Sequence, residues 1–292
     1  MTSNNMSVVH EVAGSQRARQ AENRPSIQVE SLVFGYQGRP PVFEGFSWQV
    51  QSGDSWAVLG PSGCGKSTLL YLLAGLRQPS AGSLLVDGYP VPRPRASTGL
   101  ILQEYGLLPW YTVRDNVALG QQLGHFYRGK HPEGDLPRPY PPSDILPERV
   151  DYWLDRLGIA AVQSQYPGQI SGGQRQRAAI ARTLLLEPTL LLMDEPFSSL
   201  DAMTREDLED LTLTLQAETG LTTVVVTHNI EEAAYLGRQI LVLGQPPQRQ
   251  LSPIENLTAG HLDYRRQPEF QRMCGQLRDT LDDVNASVGA LS

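Results

Sequence analysis

The sequence predicts an α/β fold built on a largely parallel sheet, and three observations carry that expectation. Short apolar runs at Ser55–Leu59, Leu190–Met193 and Thr222–Val226 read as strands buried on both faces. Helical patterns separate them, which is the alternation a parallel sheet requires. A glycine-rich turn joins the first run directly to the helix that follows it.

In chain order, residues 1–25 are polar and aperiodic and read as a disordered tail. Ser26–Phe34 alternates like a half-buried strand, and Phe43–Val50 is a further strand candidate. A helix is expected from about Lys66 to Leu76, then strands at Gly82–Val86 and Thr98–Leu102. From about residue 104 to 174 the strand signal fades and helical patterns dominate, as in Pro147–Leu157, so a helical subdomain is expected to be inserted there. Inside it, the proline-rich segment 129–147 is expected to be an exposed loop, because proline can neither donate to a helix interior nor sit in a central strand. The core resumes with a helix to about Leu186. After the strand Leu190–Met193 comes a helix that Asp201 should cap and Gly220 should close. The strand Thr222–Val226, a helix from about Asn229 and a strand at Gln239–Leu243 complete the domain at 26–244. Residues 245–292 open as a Pro/Gln linker and continue as a polar, partly helical C-terminal extension. There is no internal repeat.

Composition excludes several function classes. A chain of 292 residues with 40% hydrophobic content can build one large α/β core and a smaller lobe. Its net charge of −7 leaves no basic excess for a nucleic-acid backbone, so no nucleic-acid partner is expected. The longest uncharged apolar stretch of the first half, about Leu69 to Leu76, falls far short of the roughly 18 residues a membrane helix needs. The N-terminus lacks an apolar export segment, which points to a cytosolic location, and two cysteines, Cys64 and Cys274, cannot form a disulfide framework. Lysine occurs only at Lys66 and Lys130, so arginine supplies almost all the basic charge.

One of those two lysines stands in a special frame. Gly60, Pro61, Ser62, Gly63, Cys64, Gly65, Lys66, Ser67 and Thr68 fit the pattern G-x-x-x-x-G-K-[ST] at every fixed position, between a strand and a helix. Backbone N–H groups of such a loop curl round phosphate oxygens, the lysine neutralises them, and the Ser67 hydroxyl is placed to ligate Mg²⁺. The cysteine within this loop raises the expectation that thiol modification blocks nucleotide binding. At the end of the strand Leu190–Met193, Asp194 is a Mg²⁺ ligand candidate and Glu195 is placed to polarise an attacking water. Taken alone, such a pair is as readily a helix cap or a salt-bridge site. Ser171, Gly172, Gly173 and Gln174 open a long amphipathic helix, either as an ordinary cap or as a second phosphate site.

These elements, with Gln103, Ser198–Asp201 and His228, occur in the order and approximate spacing of the ATP-binding subunits of ABC transporters, which the chain closely resembles. The likeness spans about Tyr36 to His228, and the Ser171–Gln174 element is its most specific part. One residue departs from the family pattern: Ile170 stands where leucine usually begins that element. The resemblance implies a P-loop NTPase core with a largely parallel sheet, an antiparallel β subdomain near the N-terminus and an inserted helical subdomain. It also implies a head-to-tail homodimer sandwiching two ATP molecules, each held between residues 60–68 of one chain and 171–174 of the other. Glu195 would then be the general base, His228 the γ-phosphate sensor, and Gln103 a link between Mg²⁺ and the helical lobe. Asp201 would cross the dimer interface, and Tyr36 would stack on adenine.

The segment Leu107–Trp110 with Thr112–Leu119 resembles the nitrate, sulfonate and taurine branch of bacterial importers. There it implies a separate membrane permease seated on this surface, a solute-binding protein acting with the permease, and a peripheral position on the cytoplasmic face of the inner membrane. Another transporter branch, or a soluble ABC ATPase of DNA repair or translation, is the alternative. Repair enzymes of that kind carry a long coiled coil between the site halves, and translation factors usually carry two ATPase units. A nucleotide kinase would leave residues 171–174, 198–201 and His228 without a role.

Overall fold

The computed structural model describes residues 25–128, 147–249 and 251–289. The expected tail and proline-rich loop lie outside the described residues, except for Pro25 and Pro147. Two sheets organise the molecule. An antiparallel sheet has the order β2-β1-β4-β5, formed by β1 (Pro25–Gly35), β2 (Pro41–Gln51), β4 (Ala81–Val86) and β5 (Tyr89–Pro90). A six-stranded sheet has the order β10-β9-β3-β8-β7-β6. Its members are β3 (Ser55–Leu59), β6 (Thr98–Ile101), β7 (Leu190–Asp194), β8 (Thr222–Thr227), β9 (Gln239–Val242) and the short antiparallel edge β10 (Ile254–Glu255).

The apolar runs split between two cores with the period of two that a pleated strand imposes. Trp56, Val58, Leu190, Leu192, Val224, Val226 and Leu241 face the antiparallel sheet and the helix α1 (Lys66–Leu73). Ala57, Leu59, Leu191, Met193, Val225, Ile240 and Val242 face the opposite layer. That layer includes α4 (Gly172–Leu184), α5 (Ala202–Thr219) and α6 (Ile230–Leu236). A Val, Leu, Ile or Met side chain taken fully from water contributes roughly 1.5–3 kcal/mol, which is why apolar residues dominate these runs. Between β6 and β7 the described residues form helices and turns without a strand, notably α2 (Val113–Arg128) and α3 (Pro147–Arg156).

The segment beyond Gln245 is more deeply engaged than its polar composition implies. Helix α7 (Pro268–Gly289) inserts Phe270, Cys274 and Leu277 into the second core. The buried Asn256 ties it in, donating to Ala234 O and Gly237 O while accepting from the Tyr264 hydroxyl. No described helix is long and apolar enough to cross a membrane.

Parallel register sets the chemistry. Leu59 lies beside Thr227, and Asp194 beside Val226. The turns after β3, β7 and β8 therefore emerge together at the carboxyl edge of the sheet, where open α/β folds bind ligands.

Candidate active site

The turn after β3 is shaped by what its glycines permit. A Cβ on Gly60 would stand 2.6 Å from the Leu243 carbonyl oxygen and 2.8 Å from Cys64 Sγ, so no other residue fits. Gly65 has φ +110° and precedes α1, whose N-terminus has no side-chain cap and no acidic residue in its first turn. Among the described residues, the amides of Gly63 and Gly65 donate to no protein acceptor. Uncapped amides at the positive end of a helix fit an anion. Lys66, 5% exposed, folds back over the loop and donates to Gly60 O at 2.8 Å and Pro61 O at 2.9 Å. Cys64 is buried beneath, and burial pushes its thiol pKa up against the opposing pull of Lys66. A buried thiol held protonated is a poor nucleophile, so the structure runs against the expected thiol sensitivity.

The carboxylates close the other side. Ser67 Oγ donates to Asp194 Oδ1 at 2.9 Å. Burial raises the Asp194 pKa, partly offset by that bond. Glu195 takes φ +45°, a left-handed conformation that costs a non-glycine residue about 1–2 kcal/mol, while its amide donates to Val226 O on β8. That backbone turn aims its carboxylate between two cationic or donor groups. Lys66 Nζ lies 3.6 Å from Oε1, and His228 Nδ1 lies 3.0 Å from Oε2. Lys66, Ser67, Asp194, Glu195 and His228 thus form one contiguous network. Among the described residues no trio of His, Cys, Asp or Glu is arranged to hold a metal alone. Ser67 and Asp194 place two oxygens together, so a Mg²⁺ ion would fit there only with phosphate and water oxygens completing its shell.

Tyr36 stands at the rim of this cradle. Its hydroxyl is 3.1 Å from Thr68 Oγ1, its ring meets Phe34 edge-on, and the Arg77 guanidinium lies 5.9 Å from its centroid.

The remaining candidates form a separate, outward-facing group. Ser171 caps α4, accepting from the Gln174 amide at 3.2 Å, while Gln174 Oε1 accepts from the Ser171 amide at 2.9 Å. Asp201 is exposed and caps α5; its bonds with Thr204 hold its carboxyl below the usual range. The glycines of this element serve packing as well as access. A Cβ on Gly173 would meet Thr204 Cγ2 at 2.5 Å, and one on Gly172 would meet Leu200 at 3.1 Å. Helix α4 therefore rests directly on the Ser198–Asp201 turn. Among the described residues, no hydrogen bond or ion pair joins Ser171–Gln174 or Asp201 to the phosphate loop. Gln103 lies exposed in the turn after β6, outside the network.

Three participants have no local motif to announce them. Arg182 on α4 donates to Tyr105 O and Gly106 O, while the Tyr105 hydroxyl meets Ser199 Oγ at 2.8 Å. These bonds tie the turn after Gln103 to α4 and to the Ser198–Asp201 turn. Glu232, 3% exposed, accepts from Thr227 Oγ1, which itself accepts from the Asn229 amide, so the backbone on both sides of His228 is pinned.

Comparison with known proteins agrees with this geometry. The profile of the ABC transporter family matches residues 43–198. A taurine import ATP-binding protein of Yersinia pestis is 42% identical over 221 residues, covering 76% of this chain and 80% of the relative. An aliphatic sulfonates import ATP-binding protein of Bacillus cereus is 38% identical over 232 residues, covering 79% and 85%. Among solved structures, a dimeric ATP-binding cassette in a post-hydrolysis state with ADP and Pi superposes with a TM-score of 0.65 at 26% identity, covering 79% of this chain and 98% of that one. A subunit of an ABC transporter complex from Clostridium perfringens gives 0.63 at 29% identity, with coverage of 75% and 84%.

Proposed function

The chain belongs to the ABC transporter family, and from that membership we propose that it is the ATPase subunit powering import of a small sulfonate- or taurine-like solute through a separate permease. The observation that carries the hydrolytic part is the Glu195 carboxylate held between Lys66 and His228 at the mouth of the phosphate loop. The names of the 42% and 38% identical relatives support the import part.

In this reading the triphosphate lies along the loop of residues 63–67, where the Gly63 and Gly65 amides donate to no protein acceptor among the described residues. Lys66 exchanges its two carbonyl acceptors for β and γ oxygens, a change of partner rather than a loss, which keeps the buried ammonium satisfied. Mg²⁺ held by Ser67 and Asp194 would neutralise phosphate charge. Glu195 orients a water for in-line attack and accepts its proton. His228 holds the Glu195 carboxylate in place and senses the γ-phosphate. Tyr36 stacks on the base, and Gln103 reports on the site to the helical lobe. Ser171–Gln174 and Asp201 belong to the site of a second copy, which completes each cradle head-to-tail. Residues 26–244 act as the ATPase domain, with about 104–174 as its helical subdomain and 245–292 as an extension.

The permease docks, in this reading, on the lobe around Trp110, which is 68% exposed beside the Gln103 turn. That places the chain peripherally on the cytoplasmic face of the membrane, with a solute-binding protein acting on the far side. The test is growth of the source organism carrying Lys66→Ala at the native locus. It should fail with taurine or an alkanesulfonate as sole sulfur source and grow normally on sulfate. Normal growth on both sulfonates would remove the solute class, and absence of a membrane protein co-purifying with the tagged wild-type chain would remove the transport role.

A further inference from the structure

The segment after β9 reads as a Pro/Gln linker, yet it contains a polar side chain that is almost wholly buried. Gln248 is 3% exposed, and its Nε2 donates to Cys64 O at 3.0 Å and to Gly244 O at 2.6 Å, so both amide hydrogens are used. Its backbone is fixed as firmly. The Gln248 amide donates to Val42 O at 2.8 Å, and its carbonyl accepts from the Glu44 amide at 2.9 Å, making a bridge beside Phe43 of β2. Gln248 is therefore anchored in the antiparallel sheet and reaches across to the phosphate loop.

The acceptor on that loop is well chosen. A trans peptide is planar, with its C=O and N–H pointing in opposite directions. Holding the Cys64 carbonyl towards Gln248 turns the Gly65 N–H the other way, away from Gln248. That N–H donates to no protein acceptor. Gly65 at φ +110° has no side chain to fix its rotation, and a Cβ there would meet Val42 Cγ1 at 2.6 Å, so the peptide needs an anchor from outside. The second acceptor, Gly244 O, sits where α7 leans on the core: a Cβ on Gly244 would meet Val284 Cγ1 at 2.1 Å.

We infer that Gln248 is a positioning residue for ATP binding: it sets the 64–65 peptide so that the Gly65 amide faces the bound phosphates. The inference rests on the reading of residues 60–68 as the nucleotide's phosphate cradle. Gln248 is buried and bonded to the Cys64 and Gly244 carbonyls rather than to Lys66, Asp194, Glu195 or His228, so its removal weakens binding and leaves the chemistry intact.

The test uses the full-length chain. Gln248→Leu removes both donors at similar volume, and Gln248→Met does so with an unbranched side chain. Either variant, when folded, should raise KM for ATP and the calorimetric Kd for MgATP roughly tenfold, with kcat at saturating ATP within about twofold of wild type. An unchanged KM, or a fall in kcat without a change in KM, overturns the role. Should neither variant fold, amide NMR of the wild-type chain decides, since the Gly65 amide and the Gln248 side-chain amide should both shift when MgADP is added. A Gly65 amide that does not move overturns the inference. Lys66→Ala in parallel separates two failures: unchanged MgATP affinity there removes the cradle reading itself, whereas lost affinity there beside wild-type affinity in Gln248→Leu removes only the role of Gln248.

Discussion

The phosphate loop and the Ser171–Gln174 face use the same element, a helix N-terminus opened by glycine, and leave it in opposite states. At the loop, α1 has no side-chain cap and its approach is lined by Lys66, Asp194, Glu195 and His228, all contributed by the same chain. At the other face, α4 is capped by its own Ser171 and Gln174 and looks outward with no charged group of the loop beside it. The first half is complete within one polypeptide. The second has the Ser171 and Gln174 amides satisfied by a capping box, which a phosphate of a second copy would replace in the proposed arrangement. The difference teaches that, in the proposed head-to-tail arrangement, nucleotide binding and turnover should be separable, the first resting on one chain and the second on a pair.

The largest effect should come from Glu195→Gln. The amide cannot accept a proton, and a general base is typically worth 10²–10⁴ in rate, so steady-state hydrolysis should fall at least about a hundredfold. Lys66 also loses its counter-charge at 3.6 Å, so ATP binding should hold or tighten, and an ATP-bound dimer should accumulate on size exclusion. Hydrolysis near the wild-type rate would remove Glu195 as base. ATP binding without dimer accumulation would break the contrast between the two halves.

Ser171→Ala sharpens the contrast from the other side. Loss of the cap costs the helix about 1 kcal/mol, which the packing of Gly173 on Thr204 can absorb. Loss of a donor to developing charge is costlier, and a fall in kcat of roughly ten- to a hundredfold is expected. Nucleotide affinity of the monomer, read by calorimetry at dilutions where no dimer forms, should remain within about twofold. A weakened monomer affinity would show that Ser171 acts within its own chain.

Much of the complete half was legible in the sequence because its information is local. Nine consecutive residues specify the loop, apolar runs specify β3, β7 and β8, and short-range caps fix Asp201, Gly220 and Asn229 at their helix ends. What escaped depends on contacts between distant residues. Gln248 reads as linker until β2 and the phosphate loop close around it. Arg182 resembles any other arginine on a helix until the Tyr105 turn folds onto it. The apolar stripe Phe270, Cys274, Leu277, Leu281 and Val284 on α7 does follow helical spacing, and it was a signal hidden by the polar residues between. Glu231 and Glu232 are indistinguishable in sequence, and only the direction of α6 sends one to water and the other inside.

Glu232 gives the most local test, one that touches no rate and should belong entirely to the complete half. Burial raises its carboxyl to about 7, opposed by the Thr227 bond and by Arg205, and reinforced by the charge of Glu195. Its Oε1 is buried without a partner. Below the ordinary carboxylate value the folded and unfolded chains both hold the proton. Between that value and about 7 only the folded chain retains it, so native stability falls as pH rises through this window and levels off above it. Glu232→Gln keeps an acceptor for Thr227 and cannot titrate. The variant should therefore gain on wild type as pH rises from about 5 to about 8, by at most about 3 kcal/mol at 1.36 kcal/mol per pKa unit. Thermal unfolding of the two chains, without nucleotide and at concentrations where both are monomeric, measures the gain directly. Parallel Tm-against-pH curves would show that Glu232 stays ionised in the fold. A gain seen only when dimer is present would move Glu232 out of the half that one chain completes alone.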